Sequence, residues 1–358
     1  MMVDVFVYGQ LIGSSQSVAK LVSRGVGSLA GPTRRRKQTT ATKNGTTTGK
    51  DGTDGEPAEP VEVVSTPVAA RLDATGVPGM VAMTLAADAA VARARKAGIG
   101  LVATAGSVDG TGAIGFYARR VASAGFFCLA ASGSSPPLVA PVGASVPLIG
   151  TNPLAFGIPY GFNDRRAGDN ARNGDADDTS DAGAATGVVV ADIGTSAMSY
   201  WEVARMADDA PLPAGVALTT EGAEAATAAA AAVLRPFGGP RDAHKGSALG
   251  LLVEWLTGPL VGATVVGGGG DGSSTAASSS DGDGDGPAGW GNFVLAVDPG
   301  LLRSRAAVLG ETAGWVAALQ EEGVVLPGEG GAARRAVAKA RGVPIEAAVW
   351  DQLQALSA

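Results

Sequence analysis

A polar turn near the middle of the chain could bind the oxygens of a ribose or a phosphate. Its residues are Asp192-Ile193-Gly194-Thr195-Ser196-Ala197, at the end of the apolar run Val188 to Asp192, which is typical of a strand. The glycine, threonine and serine offer backbone N–H groups and hydroxyls that can donate to such oxygens. An ordinary turn at a strand end, with Thr or Ser as an N-cap, is the alternative.

A second anion-binding signal is the lysine of His244-Lys245-Gly246. It follows Arg235-Pro236-Phe237-Gly238-Gly239 and comes just before Ser247 to Leu256, an apolar run that predicts a helix. A lysine at a helix N-terminus adds a mobile cation to the partial positive charge of the free N–H groups. His244 is the only histidine in the chain, which also makes it a candidate for acid–base chemistry.

Two loops that are rich in hydroxyl groups and fixed by proline could hold a carboxylate. Ser134-Ser135-Pro136-Pro137 precedes the turn Gly150-Thr151-Asn152-Pro153, which lies between two apolar runs. Hydroxyls and backbone N–H groups in such loops can be preset around a carboxylate. Capping of a tight turn by Ser134 and Ser135 is the alternative.

The overall composition indicates a folded protein without nucleic-acid or membrane partners. Of 358 residues, 46% are hydrophobic and 17% are charged, which suffices for a sizeable core and two or three domains. The net charge of −7 argues against nucleic-acid binding. The chain has no uninterrupted apolar run of about 18 residues, so we predict no membrane span. A lone cysteine, Cys128, and the lack of a recognisable secretory signal predict a cytoplasmic protein.

Three segments of low sequence complexity interrupt the chain: Gly31 to Pro60, Gly161 to Gly187 and Gly267 to Gly289. They hold too few apolar residues to offset their ordering entropy, so we expect mobile loops. The Asp-Gly repeats from Asp281 to Asp285 hint at a calcium loop, but they lack the closing Glu and the flanking helices of that motif. We therefore predict no metal site.

Between these segments, strands alternate with helices. The patterns predict strands over Val61 to Leu72, Ile99 to Thr104, Phe126 to Ala131 and Val188 to Asp192. They predict helices over Gly79 to Ala97, Gly112 to Ala124, Glu221 to Leu234 and Ser247 to Leu256. Such alternation on its own would suggest a doubly wound parallel sheet.

Taken in order, the motifs resemble those of the malate/L-lactate dehydrogenase-type NAD(P)-dependent oxidoreductases, a family that includes ureidoglycolate dehydrogenase and diketogulonate reductase. Leu148 to Pro159, His244-Lys245-Gly246 and the late Pro327-Gly328-Glu329 carry the resemblance, which covers roughly Val61 to the C-terminus. It implies an α+β fold with a non-Rossmann, mostly antiparallel nicotinamide-binding sheet and helices. It also implies a small helical domain built from the two chain termini.

The resemblance implies roles for individual residues. NAD or NADP would contact Asp192, Gly194, Thr195, Ser196, Ala197, His244, Lys245, Gly246, Pro327, Gly328 and Glu329. The substrate would contact Ser135, Thr151 and Asn152. Pro240 to Ala243 look inserted between the Gly238-Gly239 pair and His244, which would lengthen that loop.

The family's proton-transferring histidine has no counterpart in this chain. In ureidoglycolate dehydrogenases it comes shortly before a Gly-Ala-Ile-x-Tyr helix, at the position that is Gly110 here. The other family location is a Ser-His-Gly segment, of which Ser23-Arg24-Gly25 is only a chance echo. The chain therefore looks as if it begins some tens of residues inside the family pattern. The catalytic residue stays unassigned, with His244 as a candidate.

The function implied is hydride transfer between NAD or NADP and a small 2-hydroxy or 2-oxo acid of the malate, lactate or ureidoglycolate type, by a homodimer. The alternative is a catalytically impaired homologue, or an incomplete chain, that binds cofactor without efficient turnover. We expect residues 1–60 to hold a truncated helical part and the first insert, and residues 61–300 to bind cofactor and substrate. Residues 301–358 would form C-terminal helices that pack with the N-terminal part.

Overall fold

The computed structural model describes Tyr8 and residues 59–108, 110–133, 137–162, 185–263, 289–343, 345 and 350. Ser135 and, apart from their end residues, the three low-complexity segments fall outside this part of the chain. Its strands are β1 (Val61–Ser65), β2 (Ala69–Asp73), β3 (Ile99–Ser107), β4 (Phe127–Ser132), β5 (Leu154–Phe162), β6 (Ala185–Ile193), β7 (Ala217–Leu218), β8 (Val233–Leu234) and β9 (Trp290–Val297). Its helices are α1 (Gly79–Ala97), α2 (Gly115–Ser123), α3 (Tyr200–Val203), α4 (Gly239–Thr257), α5 (Arg305–Glu321) and α6 (Glu329–Arg341). Among these helices, none has the length and hydropathy needed to span a bilayer.

A seven-stranded sheet organises the fold, in the order β1-β2-β3-β9-β4-β5-β6. Only its β2–β3 pair is parallel; the other neighbouring pairs are antiparallel. The prediction of a mostly antiparallel sheet is therefore confirmed. Strands β3 and β4 both pair with β9, which separates them, so the β3–α2–β4 connection does not build the adjacent parallel pair of a doubly wound sheet.

Helices α1 and α2 pack on one face of the sheet and bury the largest apolar cluster of the described residues. Met83 of α1 and Tyr117 and Val121 of α2 meet Cys128 and Val294 of the sheet there. Close packing of α2 requires Gly157 of β5, because a Cβ at that position would clash with the Ala118 backbone carbonyl. Helix α2 is therefore fixed directly against the strands beneath it.

The sequence predicts some elements to the residue and misjudges others. Helix α1 has the predicted bounds because Gly98, in the left-handed conformation (φ 79°), ends it. The single strand predicted over Val61 to Leu72 is wrong, since Thr66-Pro67-Val68 turns the chain into an antiparallel hairpin of β1 and β2. The Thr66 N–H and the Ala69 carbonyl close this turn at 2.8 Å.

The helix predicted over Glu221 to Leu234 is also wrong. Gly222 adopts φ 80°, and the backbone N–H groups that follow bond to other segments or three residues back, rather than four residues back as in an α-helix. Ala225 donates to the Ala217 carbonyl at 3.0 Å, and Ala232 donates to the Leu218 carbonyl at 2.9 Å. The alanines offer a helix little apolar surface to bury, so pairing with β7 overrides their helical propensity.

Helix α5 lies against the sheet near β5, and the residues after it reach β6. Val316 of α5, Val189 of β6 and Leu326 form one buried apolar cluster. The helical domain built from both chain ends stays a prediction, because Tyr8 is the one described residue before residue 59. The domain boundaries stay a prediction as well.

Candidate active site

The polar turn after β6 is fixed by two other predicted motifs. Thr195, which is 1% exposed, donates to the Thr151 carbonyl through both its N–H and its Oγ1, at 3.1 Å each. Its Oγ1 also lies 3.1 Å from the Asn152 carbonyl. The Phe237 N–H donates to the Thr195 carbonyl at 3.0 Å. The fold thus brings the turn after β6, the Thr151–Asn152 turn and the segment before α4 together.

Asn152 links this junction to α4. It is fully buried and adopts φ 39°, a left-handed conformation that asparagine tolerates better than most residues. Its Nδ2 donates to the Gly250 carbonyl at 2.9 Å and to Glu254 Oε2 at 2.7 Å. Its Oδ1 is buried without a hydrogen-bond partner. The amide therefore holds the turn against α4, and the substrate contact predicted for Asn152 stays a prediction.

Helix α4 begins earlier than the sequence predicts, at Gly239 rather than Ser247. Pro240 stands in the first helical turn, where a missing N–H costs nothing, so Pro240 to Ala243 form that turn instead of a lengthened loop. His244 and Lys245 consequently lie in the second turn, and the expected lysine at the helix N-terminus is wrong. Both side chains are exposed, and Lys245 Nζ lies 3.0 Å from Asp242 Oδ1. Lys245 can still meet an anion in solvent, but without help from the helix dipole.

Asp192 is the carboxylate with the most perturbed environment among the described residues. Its Oδ2 accepts a hydrogen bond from the Gly115 N–H, the first residue of α2, at 2.8 Å. One side of the residue is open to solvent, yet it lies deep enough among protein atoms that burial raises its pKa from 3.8 to about 6. The Gly115 hydrogen bond acts in the opposite direction, toward a lower pKa. Asp192 can therefore gain or lose a proton near neutral pH.

A glycine-rich loop that our sequence reasoning missed leads to Asp192. Gly110-Thr111-Gly112-Ala113-Ile114-Gly115 follows β3, opens α2 and has the Gly-x-Gly-x-x-Gly spacing of dinucleotide-binding loops. Gly112 uses a positive φ of 73°. A Cβ on Gly115 would lie 3.1 Å from the Asp192 Cβ, so the third glycine lets α2 approach β6. In this chain the N-terminus of α2 thus binds a carboxylate of the protein itself.

Buried hydroxyl and amide groups lie behind this loop. The Tyr117 hydroxyl donates to the Thr111 carbonyl at 2.6 Å, and Thr111 Oγ1 lies 3.2 Å from Ser132 Oγ. Burial, and the nearby charge of Asp192, raise the pKa of Tyr117 well above its ordinary value, so it stays a neutral donor. Ser132 pairs across the sheet with the fully buried Asn292, whose Oδ1 has no partner. Ser132 and Asn292, polar residues within otherwise apolar strands, could have indicated this cluster from the sequence.

The Pro327-Gly328-Glu329 segment covers the outer edge of β6. The Pro327 carbonyl accepts a hydrogen bond from the Val190 N–H at 3.3 Å, and Gly328 turns the chain into α6 with φ 90°. Glu329 Oε1 accepts from Gln320 at 2.7 Å, and its Oε2 accepts from the Leu326 N–H at 3.1 Å. Glu329 therefore stabilises its own turn, while Pro327 and Gly328 contact Val190 of β6, the strand that ends at Asp192 and Ile193.

A cavity of about 370 Å³ opens beside this segment. Residues of α2, β5, β6 and α6 line it, among them Arg119, Tyr160, Thr186, Gly328 and Glu329. Its volume is within the range of small-molecule and cofactor sites. Asp192 lies on β6 and bonds to α2, and both elements also line this cavity.

Comparison with known proteins identifies relatives of this chain. A family model described as malate/L-lactate dehydrogenase matches residues 44–171 and 182–354. The Delta(1)-pyrroline-2-carboxylate reductase of Ancylobacter novellus is 31% identical over 226 residues, which are 61% of this chain and 55% of that protein. The (2R)-3-sulfolactate dehydrogenase (NADP(+)) of Chromohalobacter salexigens is 32% identical over 296 residues, 80% of this chain and 75% of that protein.

A solved structure shows the same fold. The delta1-piperideine-2-carboxylate reductase from Pseudomonas syringae superposes with a TM-score of 0.66 and 26% identity, covering 98% of this chain and 90% of that one. In sequence, however, the chain spans only about half the length of the first curated relatives it matches, with 55% and 46% for two of them. The comparisons lend no support to the alternative of a homologue that binds cofactor without turnover.

Proposed function

Because the chain belongs to the malate/L-lactate dehydrogenase family, we propose that it transfers a hydride reversibly between NAD or NADP and a small 2-hydroxy or 2-oxo acid. The acids in question are of the malate, lactate and ureidoglycolate type. All carry a carboxylate next to the carbon that is oxidised or reduced.

The observation that carries this proposal is the near-neutral pKa of Asp192 at the end of β6. When bound, a nicotinamide cofactor accepts or supplies the hydride, and a side chain must take or give the proton of the substrate hydroxyl. The deprotonated Asp192 accepts that proton as the C–OH becomes C=O, and the protonated form returns it in the reverse direction. A pKa of about 6 suits both directions near neutral pH.

The position of the Asp192 carboxylate supports this role. Oδ2 is held by the Gly115 N–H, and Oδ1 takes part in none of the hydrogen bonds among the described residues. The carboxylate is thus oriented by one oxygen while the other is free to meet a substrate. This arrangement offers a proton acceptor in a chain that has Gly110 where the resemblance to ureidoglycolate dehydrogenases predicts a histidine.

The chain's residues fit a dinucleotide along β6 and α2. Gly115 lets α2 lie close to β6, and Lys245 supplies an exposed cation that can leave Asp242 and bind a phosphate. We assign Gly194, Ser196, Ala197, His244 and Gly246, with Pro327 and Gly328, to the wall around the cofactor. Ser135 and the Thr151 hydroxyl are proposed to contact the substrate carboxylate, while Thr195 and Asn152 hold the turn.

A second candidate substrate class has a specific basis. The first relative above reduces, by its name, Delta(1)-pyrroline-2-carboxylate, a cyclic imine with a carboxylate on the reduced carbon. Reduction of C=N needs the same hydride and the same carboxylate contact. Asp192 would then donate its proton to nitrogen instead of oxygen.

The test is a substrate panel with the purified full chain. NADH and NADPH are each mixed with pyruvate, oxaloacetate or a cyclic imine 2-carboxylate, and the loss of reduced-nicotinamide absorbance is followed. We expect turnover of at least one 2-oxo acid and loss of it in Asp192→Asn. Cofactor binding without turnover of any of these compounds would contradict the proposal. Loss of turnover in His244→Ala, with Asp192→Asn still active, would assign the proton transfer to His244 instead of Asp192.

A further inference from the structure

An arginine, Arg119, lines the cavity of about 370 Å³ between α2, β6 and α6. The Arg119 Nε is buried and has no hydrogen-bond acceptor. None of the ion pairs among the described residues involves Arg119. Its neighbour Arg120, in contrast, pairs with Asp88 at 2.6 Å.

An unpaired and partly buried guanidinium is costly unless a ligand meets it. Removing a cation from water without a counter-charge costs free energy, and proteins accept this where the group has a function. The planar guanidinium matches phosphate and carboxylate in a bidentate manner. The cavity therefore has the properties of an anion site, with Arg119 as its donor.

The carboxylate in the same cavity does not neutralise Arg119. Glu329 uses one oxygen for Gln320 Nε2 and the other for the Leu326 N–H. In dinucleotide sites that select NAD, an acidic residue accepts from the ribose 2′-hydroxyl, whereas an arginine accommodates the 2′-phosphate of NADP. Here the acidic group is engaged within its own turn, and the arginine is available.

The cavity lies on the same two elements as Asp192. Arg119 follows Gly115 by one turn of α2, about 6 Å along the helix. Val188, which lines the cavity, precedes Asp192 by four residues of β6, about 13 Å along the strand. A single elongated ligand that lies beside β6 can therefore reach both Asp192 and Arg119.

We propose that Arg119 binds the 2′-phosphate of NADP in this cavity and makes the chain selective for NADP(H) over NAD(H). This inference rests on the proposed function, since it assigns one end of the same cofactor. The Gly330 and Gly331 N–H groups, in the first turn of α6, add positive potential near the cavity. Ser123 and Thr186 also line the cavity.

Equilibrium titrations of the full chain test the assignment. NADPH and NADH binding is followed by nicotinamide fluorescence in the wild type, in Arg119→Gln, and in the matched control Arg120→Gln on the same helix. We expect the wild type to bind NADPH about tenfold or more tightly than NADH, the effect of one charge-assisted contact. Arg119→Gln should lose about tenfold for NADPH and less than about twofold for NADH. Arg120→Gln should change neither.

Competition with fragments distinguishes the group that Arg119 contacts. Adenosine 2′,5′-bisphosphate should displace NADPH from the wild type more effectively than AMP, and the difference should vanish in Arg119→Gln. Equal weakening of NADH and NADPH by Arg119→Gln would overturn the assignment, because Arg119 would then contact a group common to both. Wild-type protein that binds NADH as tightly as NADPH would overturn it without affecting the proposed function. Failure of the wild type to bind either cofactor would overturn both.

Discussion

Replacement of Asp192 by asparagine should change how stability depends on pH. Asparagine keeps the size of the side chain. Its Oδ1 can still accept the hydrogen bond that the Gly115 N–H donates to Asp192 at 2.8 Å. What the substitution removes is the titration of the carboxyl. The difference in unfolding free energy between variant and wild type, measured across pH, therefore isolates this one group.

The sign follows from the direction of the pKa change. Burial raises the pKa of Asp192 in the folded chain to about 6, above its ordinary 3.8. The folded state therefore holds the proton more tightly than the unfolded state. The resulting contribution to the unfolding free energy is fully present below pH 3.8 and is lost as the pH rises through about 6. The asparagine variant should gain on the wild type between about pH 4 and pH 7.

The magnitude is set by the exposure of the carboxyl. For a fully enclosed group, the change from 3.8 to about 6 would correspond to about 3 kcal/mol. One side of Asp192 contacts water, and solvent screening reduces the expected difference to about 1 kcal/mol. Urea unfolding at a series of pH values can resolve this difference.

The Asp88→Asn variant serves as the control. Asp88→Asn removes an exposed carboxylate, paired with Arg120, from the same face and corrects for the loss of one negative charge. A difference between Asp192→Asn and wild type that stays flat from pH 4 to pH 8 would refute the reasoning. It would mean that the carboxyl is solvated in the folded chain as it is in the unfolded chain.

Two further substitutions probe the surroundings of the site. Lys245→Ala should weaken NADPH binding by about threefold to tenfold in fluorescence titrations, because Lys245 must first leave Asp242; unchanged affinity would remove Lys245 from the site. Asn152→Ala should destabilise the fold by about 2–4 kcal/mol in urea unfolding, since the Glu254 carboxylate loses a buried donor and alanine disfavours φ 39°. A loss below about 0.5 kcal/mol would mean that the amide bridge does not hold the turn.

The elements that were predictable have local signals at both ends. Helix α1 is an Ala-rich run that ends at Gly98, a residue free to adopt the left-handed conformation. The region from Glu221 to Leu234 is richer still in alanine but forms no helix in the structure. Its backbone bonds to β7 and to neighbouring segments, and no local pattern specifies such long-range pairing.

For the candidate site, the sequence identified segments that come together in the fold, but not the contacts that their side chains make. The turns around Asn152 and Thr195 do come together with the start of α4. The sequence did not reveal that the Asn152 amide bonds to Glu254 of α4, or that Lys245 lies a turn further into α4 than expected. Burial in the folded chain raises the pKa of Asp192, and the opposing hydrogen bond comes from Gly115, 77 residues away in sequence; composition and spacing can reveal neither.

The pH dependence of kcat/KM for oxidation of a 2-hydroxy acid tests the central claim most directly. For the wild type, kcat/KM should rise through a limb near pH 6 as Asp192 loses its proton. In Asp192→Asn the limb should disappear and the rate should fall by about 10²–10⁴, the usual contribution of a positioned acid–base group. An Asp192→Asn protein that keeps both the wild-type rate and the limb would contradict the account, because another group would then carry the proton.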